Sequence, residues 1–167
     1  MSSDIWPTPD QLLEAVKLPM RGDIVECQPH HIMQMELRDV DIGALAGNDL
    51  KSTVDNLLVY PGKYAGLVDG QCVVAFGFIP FWDHVAEGWM VSSQHLSRDK
   101  FIFHRAAAKG MDYVYTFVGL RRLQFTIHAY NHLAIRWADA LGFVLEGRLD
   151  KYGPDGSDYL MYAKVID

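Results

Sequence analysis

Few side chains in this chain combine a reactive type with a setting that lets them react. Glu87 is one. It sits in Ala86-Glu87-Gly88-Trp89-Met90-Val91-Ser92, a strand pattern, with Trp82 and Trp89 flanking it in sequence. A carboxylate placed so is a candidate general base for a nucleophile that must lose a proton. The competing reading is a solvent-facing strand residue, and Asp83 and His84 read as polar loop residues beside it. Asn131 precedes the register Leu133, Trp137, Ala140 and Leu141 and is a helix cap whose oxygen accepts a backbone N–H. Ser97-Arg98-Asp99-Lys100 has the Ser-x-x-Lys spacing of serine acylases but no companion motif, so it carries no such signal. His30-His31, His128 and His132 lack a Cys or carboxylate at ligand spacing, and no metal is expected. Cys27 and Cys72 are too few for a disulfide framework and read as reduced, buried thiols.

Composition narrows the classes. At 167 residues, 50% of them hydrophobic, the chain suits one domain with one core. A formal net charge of −6 argues against a nucleic-acid partner, which needs a clustered positive field. No apolar stretch approaches the ~20 residues of a membrane span. The opening MSSDIWPTPDQ lacks the basic and apolar blocks of a signal peptide, so a soluble protein of the cytoplasm is expected.

The elements that must position these residues follow from local pattern. Thr8-Pro9-Asp10-Gln11 is a capping box opening a helix with Leu12, Leu13 and Val16 inward, ended by Pro19. Residues 1–21 therefore read as a helical extension, an appendage or interaction arm, ahead of a domain over 22–167. Asp23–Cys27 is a strand. Pro29 opens a helix carrying Ile32 and Met35, with a second helical turn from Asp39 through Ile42 and Leu45. Gly47-Asn48-Asp49 is a break, and Leu50, Val54, Leu57 and Leu58 mark an amphipathic helix. Tyr64–Val68 and Cys72–Ile79 form a hairpin through Asp69-Gly70, and Glu87–Ser92 is a third strand. Ser97 caps a helix from about Arg98 to Asp112 or beyond. Leu123–His128 is a strand, and the Asn131 helix stops at Gly142. Phe143–Leu149 and Tyr159–Val165 pair across Pro154-Asp155-Gly156. The order β-α-α-β-β-β-α-β-α-β-β predicts an α+β fold: a mixed, mostly antiparallel sheet of six to seven strands with helices on both faces.

The run Asn131, Ala134, Ile135, Arg136, then Leu141-Gly142-Phe143 and Glu146-Gly147-Arg148, resembles the GCN5-related N-acetyltransferase (GNAT) family, and the element order matches it from about residue 23 to 166. Within that superfamily the chain is most similar to acetyltransferase-like proteins of short-tailed bacteriophages, a group that includes an internal virion protein. Gly66-Leu67-Val68-Asp69-Gly70, Ala75-Phe76-Gly77-Phe78-Ile79-Pro80 and Trp89-Met90-Val91-Ser92-Ser93 carry that likeness.

The resemblance implies an enzyme that moves acetyl from acetyl-CoA to an amine of unknown identity, protein or small molecule. It implies a gap between the Glu87 and Leu123 strands that accepts the pantetheine arm. Backbone around Met90, Val91 and Ser92 would bond the arm, Asn131 would contact it, and Glu87 would serve as base. Two departures are visible. The family's phosphate turn, Arg-x-x-Gly-x-Gly, is here Ser93-Gln94-His95-Leu96-Ser97-Arg98-Asp99-Lys100, without glycine, so phosphate would fall to Ser97, Arg98 or Lys100. Ala138 stands where many members keep a Tyr acid. A catalytically silent phage protein, in the virion or the host cytoplasm and with virion proteins or its own copies as partners, is the alternative that these departures leave open.

Overall fold

The computed structural model describes residues 5–45 and 49–166. Seven strands form one sheet: β1 (Gly22–Glu26), β2 (Lys63–Val68), β3 (Gln71–Trp82), β4 (Val85–Ser92), β5 (Arg122–His128), β6 (Val144–Leu149) and β7 (Tyr159–Val165), in the order β1-β2-β3-β4-β5-β7-β6. Every neighbouring pair is antiparallel except β4 and β5. That parallel pair needs a crossover, and the long helix α5 (Lys100–Val118) supplies it. The β2–β3 hairpin turns at Asp69 (φ 49°) and Gly70 (φ 78°), two successive left-handed residues that suit strand twist.

Alternation along the strands divides the apolar residues between two cores. Tyr64, Phe78, Ala86 and Leu123 face α1 (Pro9–Val16), α5 and α6 (His132–Ala140). Cys27, Ala65, Ala75 and Val91 face α2 (Pro29–Met33), α3 (Asp39–Leu45) and α4 (Leu50–Leu57), where Ile32 and Val54 are fully enclosed. Both cysteines are free, and Cys27 is buried.

Several local expectations are revised. The capping box of α1 forms, with Thr8 and Gln11 exchanging bonds of 2.8 and 3.3 Å. The helix is no outlying arm, however: Leu12 is 1% exposed, Trp6 lies flat on Phe78, and the Tyr64 hydroxyl donates to the Pro7 carbonyl at 2.7 Å. The crossover helix starts at Lys100 and reaches Val118, because Ser93, not Ser97, caps a preceding 3₁₀ turn over Gln94–Asp99. In α6 the buried stripe centres on Ala138, while Leu133 is exposed. Gly47 and Asn48 of the expected break lie outside the described residues.

Candidate active site

Strands β4 and β5 form a fork. They pair over three rungs, Val85↔Arg122, Ala86↔Leu123 and Glu87↔Gln124, and then part. From Gly88 to Ser92 on one side, and Phe125 to His128 on the other, no rung joins them. Each strand keeps its outer neighbour: β4 stays paired with β3 up to Ser92↔Val74, and β5 with β7 up to His128↔Tyr159. The gap is therefore held open from both sides by intact ladders.

Pairing with β3 decides which β4 amides face the gap. Ser93 donates to the Val73 carbonyl at 2.8 Å. Along an antiparallel strand alternate residues direct both backbone groups the same way, so Val91 also faces β3 and Met90 and Ser92 face the gap. Two of the three predicted backbone positions thus line the opening. Val91 does not, because its N–H and C=O are spent on the ladder and its side chain is buried in the α2–α4 core.

A cavity of about 330 Å³ lies against the sheet beneath α1 and α5, from β1 across to the fork, and its lining takes in both fork strands, α6 and the Arg38–Asp41 segment. Its walls are mainly apolar, with Met90, Phe103, Ala106, Phe125, Ala134 and Trp137 among them. Asn131 lines it too, and its Oδ1 caps α6 by accepting from Ala134 N–H at 3.2 Å. The same oxygen accepts from Arg38 Nη2 at 3.4 Å, so cap and cavity contact occur together. Trp137 contributes a buried indole N–H with no acceptor among the described residues. Its ring stacks on Phe103 at 5.3 Å.

On the α3 side the walls carry polar residues that sequence reading did not single out for this role: Arg38, Asp41, His128 and Tyr159. The segment before α3 docks on the end of β4, through a Leu37↔Ser93 bridge and Gln94 N–H donating to the Glu36 carbonyl at 3.0 Å. One turn later, Asp41 Oδ2 accepts from Ser92 N–H at 3.2 Å and from its hydroxyl at 3.4 Å. Burial pushes the Asp41 carboxyl above the usual range, opposed by the Ser92 bonds and by Arg38. The i, i+3 spacing of Arg38 and Asp41 was the available signal, but nothing in the sequence said that this helix overhangs β4.

Glu87 lies at the crotch of the fork, half-buried, on the same sheet face as Val91 and α3. Its Oε2 accepts from Gln124 Nε2 at 3.3 Å. The expected phosphate residues are not brought to the cavity. Ser97, Arg98 and Lys100 are exposed, and the Lys100 ammonium sits 5.2 Å over the Phe101 ring. Leu96 and Asp99 line the cavity instead.

No protein-family model matches the chain, and no curated protein matches it in sequence. Solved structures do match in shape. Ard1 from Thermoplasma volcanium superposes with a TM-score of 0.72 at 16% identity, over 89% of this chain and 99% of that one. A GNAT-family acetyltransferase from Bacillus anthracis gives 0.65 at 18% identity, over 87% and 95%. The fold is the GNAT fold. A third GNAT-fold neighbour, yncA from Salmonella typhimurium, a putative acetyltransferase whose structure holds its cofactor acetyl-CoA, gives 0.60 at 14% identity over 88% and 95%. The sheet of seven strands, its single parallel pair and the helices on both faces agree with the expected architecture. Among the described residues no helix is long and apolar enough to cross a membrane.

Proposed function

We propose that this chain is an N-acetyltransferase that takes acetyl from acetyl-CoA and delivers it to an amine. The observation that carries the proposal is the fork: two strands paired for three rungs and then held apart, with both of them lining a mainly apolar cavity. An extended arm with amide groups fits such a gap as an added strand, since Met90 turns its N–H and C=O to it, while Ser92, whose N–H is given to Asp41, offers its C=O. Asn131 and the orphaned indole N–H of Trp137 supply side-chain partners on the α5–α6 side. The GNAT fold shared with named acetyltransferases supports the same reading.

Acetyl-CoA supplies an activated acyl carbon, and the chain supplies its setting. Met90 N–H, facing the open gap, is placed to donate to the thioester oxygen as negative charge develops there. Two carboxylates face the opposite side, Glu87 at the crotch and Asp41 at the mouth, and either is chemically competent to neutralise an incoming ammonium. Ala138 is fully buried and gives no acid, so a thiolate with pKa near ~8.5 departs without one.

Titration calorimetry with acetyl-CoA, followed by turnover assays on a panel of primary amines, tests the reading. Micromolar binding and transfer to at least one amine support it. Absence of heat at millimolar acetyl-CoA removes it and favours the second reading, a non-catalytic protein of a phage particle or its assembly. One observation weighs against cofactor binding: the glycine-free turn places Asp99 on the cavity wall where phosphate would approach, with the Asp69-paired Arg21 as the cation near it.

A further inference from the structure

We infer that Asp41 is the carboxylate that receives the acceptor's ammonium group and takes its proton. The inference rests on the transferase reading above and names the residue that handles the acceptor. Three observations carry it.

The first is position along the strand. A thioester oxygen bonded to Met90 N–H fixes the reacting carbon beside that residue. Ser92, to whose amide Asp41 is bonded, is two residues away, about 7 Å at the rise of an extended strand. Glu87 is three residues the other way, about 10 Å, at the point where the strands have already closed.

The second is free valence. Both contacts from Ser92 fall on Asp41 Oδ2, while Oδ1 accepts no hydrogen bond among the described residues. No cation lies within ion-pair distance of Asp41 among those residues either. Glu87 also keeps one oxygen free, its Oε2 accepting from Gln124, so free valence admits both carboxylates and position along the strand separates them.

The third is surroundings. Asp41 lines the cavity with Arg38 from its own segment, His128 from β5 and Tyr159 from β7. Arg38 favours the ionised carboxylate, the nearby Tyr159 phenol is held protonated by burial, and burial of Asp41 itself favours the acid. These opposing influences suit a group that must both gain and lose a proton during turnover.

The chemistry balances. Asp41 takes one proton from the ammonium, leaving a neutral amine. Its lone pair forms the C–N bond to the thioester carbon, the C–S bond breaks, and the thiolate leaves on CoA. The nitrogen's second proton passes to that thiolate, and Asp41 returns the first proton to solvent. Amide, CoA thiol and one proton result.

The test uses the full chain, acetyl-CoA and the best amine of the panel, with Asp41→Asn as the variant. The amide of Asn keeps an acceptor for Ser92 N–H, so acetyl-CoA affinity and thermal melting should stay near wild type, which separates lost chemistry from lost folding. Expected is a fall in kcat/KM of ~10²-fold or more with a strongly basic amine. The fall should shrink sharply with an aromatic amine that is already neutral at assay pH. The acidic limb of the wild-type pH profile should move to the alkaline side, toward the amine's own ionisation, and Asp41→Glu should restore part of it. Equal losses for basic and neutral amines, or an unchanged profile in Asp41→Asn while Glu87→Gln abolishes turnover, would overturn the assignment and leave the transferase reading intact. A wild type without binding or turnover removes both.

Discussion

Glu87 and Gln124 face each other across the last rung before β4 and β5 part, and the Gln124 amide donates to the Glu87 carboxylate at 3.3 Å. The contact continues outward. Gln124 Oε1 accepts from Arg122 Nε at 2.8 Å, and the Arg122 guanidinium grips Glu146 of β6 through two bonds of 2.9 and 2.6 Å. Four side chains thus clamp the closed end of the fork, which lets the other end stay open without the sheet unzipping. Arg122→Met should break the clamp at its strongest, bidentate link. A loss of about 1 kcal/mol in urea unfolding is expected, since the pair is partly solvated. Weaker acetyl-CoA binding should accompany it. Glu87→Gln, which keeps an acceptor for Gln124, should leave stability within about 0.5 kcal/mol of wild type. A large loss of stability in Glu87→Gln with none in Arg122→Met would contradict the clamp.

The N-terminal helix belongs to the same core as the sheet. Leu12 is almost fully enclosed and touches the Gly110 region of α5, where a Cβ at that glycine would approach its side chain to 3.6 Å. Leu12→Ala should therefore cost ~2–5 kcal/mol, the range for a leucine removed from a packed interior. Deleting residues 1–21 should abolish the cooperative unfolding transition. A truncated chain that melts like the whole would show the helix to be dispensable.

What the sequence could reveal was set by the range over which each signal acts. The capping box at Thr8 and the Asp69-Gly70 turn depend on residues a few places apart, and each is seen in the structure. The destination of α1 was not legible, because Leu12 and Val16 show that one face is buried without saying against what. Asp41 was missed for a related reason. Its importance lies in an amide 51 residues away on β4, brought near by the docking of Leu37 on Ser93. Val91 was over-read: its place in the strand was legible, but which neighbour its amide serves depends on the pairing partner. The turn at Gln94–Asp99 was read as glycine-free, while the outward direction of Arg98 and Lys100 emerged only in three dimensions.

Alkaline pH should destabilise the protein through its thiols. Burial, aided by the neighbouring Cys72, pushes the Cys27 thiol up to about 12, and burial pushes Cys72 to about 11. Unfolded cysteine ionises near ~8.5, so above that pH the unfolded chain releases protons that the native chain still holds. The contribution is complete below ~8.5 and is lost as pH climbs toward 11 and 12. Buried Tyr64 and Tyr115 act in the same direction at still higher pH. Urea midpoints should be flat from neutrality to ~8.5 and fall beyond it, by up to ~1.4 kcal/mol per pH unit for each thiol. Cys27→Ala should flatten that fall. An unchanged slope in the variant would rule out Cys27 as a source.

Asp99 is the acidic residue whose removal should help. It occupies the cap position of α5 yet makes no side-chain cap bond, so its neutralisation costs the helix only a macrodipole interaction of about 0.3–1 kcal/mol. It lines the cavity at the turn where a phosphate of acetyl-CoA would approach, and a carboxylate there repels it. Its partial neutralisation by Arg21 is weak, because that guanidinium is exposed and already paired with Asp69. Asp99→Asn should tighten acetyl-CoA by about three- to tenfold at low salt, the scale of one charge near a helix terminus. The gain should fade as salt rises and screens the field. S-acetyl-pantetheine, which lacks the nucleotide and its phosphates, should bind variant and wild type alike. If the substitution tightens both ligands equally, the effect comes from the cavity's shape and not from phosphate repulsion. If it weakens acetyl-CoA alone, Asp99 holds the nucleotide end by a hydrogen bond, and the glycine-free turn is then a working phosphate site of a different kind.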